Sequence, residues 1–131
     1  MPDSGKPRTI VIAEDNPVVR EVLRGVIRQD KRLAVVGEAA NGQAAIDLVE
    51  SLKPELLCLD ILMPGMDGLT VLRTLGEKSP ETRVIIVTGQ STSEVVTEAL
   101  KLGAAGFVVK PFNAEKLLRA IHGALAPRVA V

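Results

Sequence analysis

The chain has 131 residues, enough for one well-buried core and too few for two ordinary domains. Lysine and arginine balance aspartate and glutamate at 16 each, which removes any global pull toward nucleic acid or anionic membrane. One cysteine, Cys58, excludes an internal disulfide framework and fits a reducing, cytoplasmic setting, and two phenylalanines are too few for a base-stacking platform.

The opening MPDSGKPR is polar, with no apolar run behind it of signal-peptide or membrane-span length, so residues 1–8 read as a tail. From Thr9, short apolar runs rich in β-branched residues alternate with longer stretches of helical periodicity, each changeover marked by glycine, proline or a polar cluster. The first strand is expected over Thr9 to Ala13. A helix follows, with Asn16 as N-cap, Pro17 in the first position, and stripes Val18, Val22, Val26 and Val19, Leu23, Ile27 on the face toward the sheet. The second strand spans Leu33 to Ala39. Its helix follows Asn41 and Gly42, turns Ala45, Leu48, Val49 and Leu52 inward, and stops at Pro54.

Glu55 to Leu59 forms the third strand, and the third helix runs from about Leu69 to Leu75, before Gly76. The fourth strand is Arg83 to Val87, and Ser91 with Glu94 reads as a capping box for the fourth helix. Gly106 to Val109 is the fifth strand. Asn113 caps a fifth helix that buries Leu117, Leu118, Ile121 and Leu125, and His122 reads as a solvated position on it. One domain is therefore expected over residues 9–126, with 127–131 as a tail too short for an effector domain. The chain is either a stand-alone protein or a piece of a longer one.

Five βα units imply a doubly wound parallel sheet, in which ligands sit beyond the carboxyl ends of the strands. Those ends carry Glu14 and Asp15, Asp60, Thr88 and Lys110. Three carboxylates at one rim repel each other unless a cation sits among them, and an oxygen-only set without histidine or cysteine favours magnesium or manganese over zinc. Carboxylates as a class are ionised at neutral pH, so an aspartate attacks phosphorus without a general base. The remaining need is neutralisation of the phosphoryl oxygens, which a metal, an ammonium and a hydroxyl supply.

Glu14-Asp15, the run from Asp60 through Pro64 to Gly68, Thr88-Gly89 and Lys110-Pro111-Phe112 stand in order on the expected elements. The set resembles the receiver-domain family of two-component response regulators, chemotaxis-regulator-like, over about Thr9 to Ala126. The resemblance implies a flavodoxin-like (βα)5 fold with strand order 2-1-3-4-5. It implies Asp60 as phosphoacceptor and Mg2+, or Mn2+, held by Asp15, Asp60 and the backbone carbonyl of Leu62, with Glu14 acting through water. Lys110 would pair with the phosphoryl group and precede a cis proline, while Thr88 and Phe107 would form the switch. The implied donor is a histidine kinase or phosphotransfer protein. The implied output is a downstream protein or a self-dimer through helix 4, strand 5 and helix 5, with no nucleic acid or membrane contacted by this domain and no enzyme activity beyond its own phosphorylation and dephosphorylation.

Two other readings share part of this chemistry. A small-molecule phosphatase with an aspartate nucleophile would need an Asp-x-Asp after the first strand and a cap insertion, and neither is present. A degenerate receiver acting only as an interaction module would have lost an acidic residue, Thr88 or Lys110.

Overall fold

Strand β1 (Arg8–Ala13) opens a regular alternation: α1 (Pro17–Arg28), β2 (Leu33–Ala39), α2 (Gly42–Leu52), β3 (Leu56–Leu59), α3 (Gly68–Lys78), β4 (Arg83–Thr88), α4 (Ser93–Lys101), β5 (Gly106–Val109) and α5 (Ala114–Leu125). The computed structural model describes residues 5–127, so the outer parts of the two expected tails lie outside the described residues. All four strand pairings are parallel, the doubly wound sheet expected from the alternation, and the order is β2-β1-β3-β4-β5, as the resemblance implied.

The apolar runs follow from two buried faces. Successive residues point to opposite sides, so Val11, Leu57 and Ile86 pack under α2, α3 and α4. Ile10, Cys58 and Ile85 pack under α1 and α5. Burial pushes the Cys58 thiol up to about 12, which leaves it an inert core residue. No helix among the described residues is long and apolar enough to cross a membrane.

The caps at Asn16 and Asn113 form as expected, and Asn41 caps α2 in the same way with Gly42 already in the helix, each side chain accepting from backbone N–H groups of the first turn. Five local expectations change. Two adjacent valine stripes on α1 cannot both face the sheet, and the one that turns outward leaves Val18 66% and Val22 49% exposed while Leu23 and Ile27 are buried. Leu52, at the end of α2, is also largely exposed. Helix α3 continues through Gly76 to Lys78, since burial of Val71, Leu72 and Leu75 outweighs the roughly 1 kcal/mol helix penalty of one glycine; it ends at Ser79 before Pro80. The cap of α4 is Thr92, whose hydroxyl accepts from the Val95 N–H, one position later than expected; Ser91, Thr92 and Ser93 offer three hydroxyls in a row, and spacing alone could not choose among them.

The fifth change is His122, which is tied down rather than solvated. Its Nε2 lies 2.7 Å from Asp30 Oδ2, and Arg32 grips both oxygens of the same carboxylate, so the loop after α1 is clamped to α5. Arg32 first, then His122, holds the Asp30 carboxyl well below the usual carboxylate range. A carboxyl that binds its proton more weakly in the folded than in the unfolded chain stabilises the fold above the unfolded pKa and loses that contribution as the pH falls. The melting-temperature advantage of wild type over Asp30→Asn is therefore expected in full at about pH 6 and to shrink as the pH falls below about 4. A gap that stays constant down to the acid limit would show that the clamp contributes no proton-linked stability.

Candidate functional site

The residues beyond the strand ends are held by the sheet itself. The Glu14 N–H donates to the Ala39 carbonyl at 3.0 Å, Asp60 N–H to Ala13 at 3.1 Å and Lys110 N–H to Thr88 at 2.9 Å. Each bond carries the parallel ladder one residue past its strand, so three charged side chains leave the rim from backbone as fixed as the strands.

Their side chains converge. Lys110 Nζ lies 2.7 Å from Glu14 Oε1 and 3.0 Å from Asp60 Oδ2. The other Asp60 oxygen, Oδ1, accepts from the Leu62 N–H at 3.2 Å, and Glu14 Oε2 accepts from the Asn16 N–H at 3.1 Å. Glu14 and Asp60 are buried, whereas Asp15 is exposed. Burial pushes the Glu14 carboxyl above its ordinary range, Lys110 and the Asn16 N–H work against that, and the Asp60 charge adds to it. Burial opposes the Lys110 ammonium, but its two carboxylate partners prevail and hold its pKa above the ordinary lysine value, so it stays cationic.

One ligand oxygen from each of Glu14, Asp15 and Asp60 lies within 4.8 Å of the others. Three carboxylates against one ammonium leave two negative charges uncompensated when all are ionised, a deficit that suits a divalent cation. The donors are all oxygen, so the residues fit a hard ion. The cluster is one that could hold a metal.

Thr88 and Phe107 stand apart from this cluster. Thr88 is fully buried at the end of β4, and its hydroxyl accepts from the Gln90 N–H at 3.3 Å without a hydrogen bond to Asp60. Phe107 pairs with Ile86 in the sheet and is half-buried against the layer under α2, α3 and α4. Leu62 is 57% exposed, and a Cβ added at Gly89 would meet nothing within 4 Å, so the rim is open there. The Lys110-Pro111 peptide is cis, as the resemblance implied.

Two packing roles had no reading in the sequence, where Gly68 is only the last residue of the matched run. Gly68, the first residue of α3, packs so closely under the acidic loop that an added Cβ would lie 2.4 Å from the Asp60 carbonyl oxygen and 2.6 Å from the Ile61 Cα. Both obstacles are backbone, so nothing can rotate away. Arg20, on α1, reaches back to the Glu14 carbonyl at 2.7 Å.

A parallel five-stranded sheet with a lysine-bridged carboxylate cluster at its carboxyl edge defines a receiver-type signalling domain. The chain belongs to the response regulator receiver domain family, whose model matches residues 10–122. It is 42% identical over 121 residues to the nitrate/nitrite response regulator NarL of Escherichia coli (strain K12), covering 92% of this chain and 56% of that protein. It is 36% identical to the chemotaxis protein CheY of Listeria monocytogenes, covering 88% of this chain and 96% of that one. Among solved structures, the signal receiver domain of a response regulator NarL from Mycobacterium tuberculosis superposes with a TM-score of 0.89 at 31% identity, covering 94% and 99% of the two chains. CheY of Borrelia burgdorferi, in complex with CheX, superposes with a TM-score of 0.91 at 27% identity, covering 95% and 94%. The chain thus spans about half the length of NarL and nearly all of CheY. Proteins of this family are signalling proteins of two-component systems: they take up a phosphoryl group and interact with histidine kinases and downstream effectors.

Gly68→Ala is expected to lower stability by about 1–3 kcal/mol, as overpacking against immovable atoms does, and to shift the Asp60 amide resonance. Urea unfolding followed by circular dichroism, beside an amide NMR spectrum, measures both. An unchanged unfolding midpoint would show that α3 yields freely and does not brace the loop.

Proposed function

We propose that Asp60 is the phosphoacceptor of this domain and that Glu14, Asp15, Asp60 and the Leu62 carbonyl hold Mg2+, with Mn2+ able to replace it. The observation that carries the reading is the Lys110 ammonium bridging Glu14 and Asp60 beside the three clustered carboxylates. The metal, when bound, neutralises charge on the phosphoryl oxygens. An Asp60 oxygen attacks the phosphorus of a phosphohistidine on a histidine kinase or phosphotransfer protein; the O–P bond forms as the P–N bond breaks, and the imidazole leaves. Lys110 then moves from carboxylate to phosphoryl oxygen without changing its charge. The complex of Borrelia CheY with BeF3 and magnesium supports extending this chemistry to the present residues. Self-catalysed phosphorylation and dephosphorylation are the extent of its catalysis, and the reduced, buried Cys58 thiol is in keeping with a cytoplasmic setting.

The phosphoryl group provides a new acceptor for the Thr88 hydroxyl. Thr88 and Phe107 shift together and re-weight two packings of α4, β5 and α5, a population shift rather than a new fold. Leu100 and Val109, each about half exposed on that side, suit a downstream protein or a second copy of the chain.

Two measurements test the reading. Incubation with acetyl phosphate and magnesium is expected to add one phosphoryl group by intact mass in wild type and none in Asp60→Asn; an equally modified mutant would move the acceptor elsewhere. Amide NMR with beryllofluoride and magnesium is expected to shift residues 95–101 and Phe107 along with the site loops. Shifts confined to those loops would reject the coupling to the α4–β5–α5 side.

A further inference from the structure

Asp15 differs from its two partners in the cluster. It is exposed, and among the described residues none hydrogen-bonds its carboxylate. Its position therefore depends on the backbone that carries it, and three successive peptide planes are pinned there. The plane between Ala13 and Glu14 is held by Glu14 N–H to Ala39 and Asp60 N–H to Ala13. The plane between Asp15 and Asn16 is held by Asn16 N–H to the Glu14 carboxylate. The middle plane, which leads into the Cα that carries the Asp15 side chain, is held by Arg20, whose guanidinium donates to the Glu14 carbonyl at 2.7 Å.

Arg20 is itself anchored. Its Nε lies 3.4 Å from Glu38 Oε1 on β2, and Arg24 grips the same carboxylate at 3.1 Å. Glu38 adjoins Ala39, whose carbonyl receives the Glu14 N–H. The guanidinium thus spans from the edge strand to the start of α1, a reach its planar fork of donors suits.

We propose that Arg20 is a positioning residue for the metal: by gripping the Glu14 carbonyl it fixes the peptide plane that presents Asp15 to the cluster. This rests on the cation site described above as the proposed function. Arg20 is also a positive charge near a cation site, and charge alone opposes metal binding. The two roles therefore differ in sign. Neutralising Arg20 tightens metal binding if only its charge matters and weakens it if it positions Asp15.

The experiment titrates Mn2+ by electron paramagnetic resonance into wild type, Arg20→Met, Arg20→Gln and Arg24→Met, with metal-free melting followed by circular dichroism. Arg20→Met keeps the aliphatic stem and loses every donor. It is expected to weaken Mn2+ binding about tenfold, the scale on which groups that orient metal ligands act. Arg24→Met removes a like charge from the same Glu38 without touching the Glu14 carbonyl; it is expected to lower the metal-free melting temperature about as much as Arg20→Met and to leave Mn2+ affinity unchanged. Arg20→Gln, too short to span both acceptors, carries the same expectation as Arg20→Met should the latter fail to fold. Equal or tighter binding in the Arg20 variants, or an equal loss in Arg24→Met, overturns the positioning role while the cation site stands. A wild type that binds no Mn2+ overturns the site and this role together.

Discussion

The ammonium of Lys110 between two buried carboxylates is the interaction on which the rim depends. Burying Glu14 and Asp60 side by side costs several kcal/mol per charge unless each finds partners. Each has one backbone N–H donor, and they share one lysine. The arrangement leaves the cluster negative overall, and that residual charge gives a domain of balanced composition a local appetite for a cation. Global charge is silent about this; placement produces it.

The fold was legible because its strands are covered twice. Runs such as Ile10 to Ala13 and Val84 to Val87, set between longer helical stretches, suit strands covered by helices on both faces, and the strand order implied by the resemblance is the observed one. The rim was legible for a related reason, since the chemistry-bearing residues follow directly on those runs. Details that depend on neighbours were not. Val18 and Val19 are both apolar, and only the rotation of α1 against the sheet decides which is buried. Gly68 ends the run that carries the resemblance, but its packing role shows only when the Asp60 carbonyl is seen where its side chain would be. Arg20 looks like a solvated helix residue, and no spacing rule links it to a carbonyl six positions earlier.

The two core layers meet the rim differently. Under α1 and α5, Ile12 and Val87 lead up to it; under α2, α3 and α4, Ala13, Leu59 and Ile86 do, and Phe107 joins that second layer from the neighbouring strand. Thr88 pairs with Val109 in the register that pairs Ile86 with Phe107. That register sets the end of β4 one strand away from Phe107 and the layer that supports α4.

The irregularity at the outer strand changes what the sheet offers at its edges. Between Ile10 and Val11 the register with β2 slips by one, leaving Val36 without a partner and about two-fifths exposed. Such a slip bends and over-twists an edge strand, which spoils it as a template for another chain's backbone. At the opposite edge, β5 is only four residues long. Neither margin offers a straight, extended ladder, so both edges of the sheet are poor templates for the backbone of another chain.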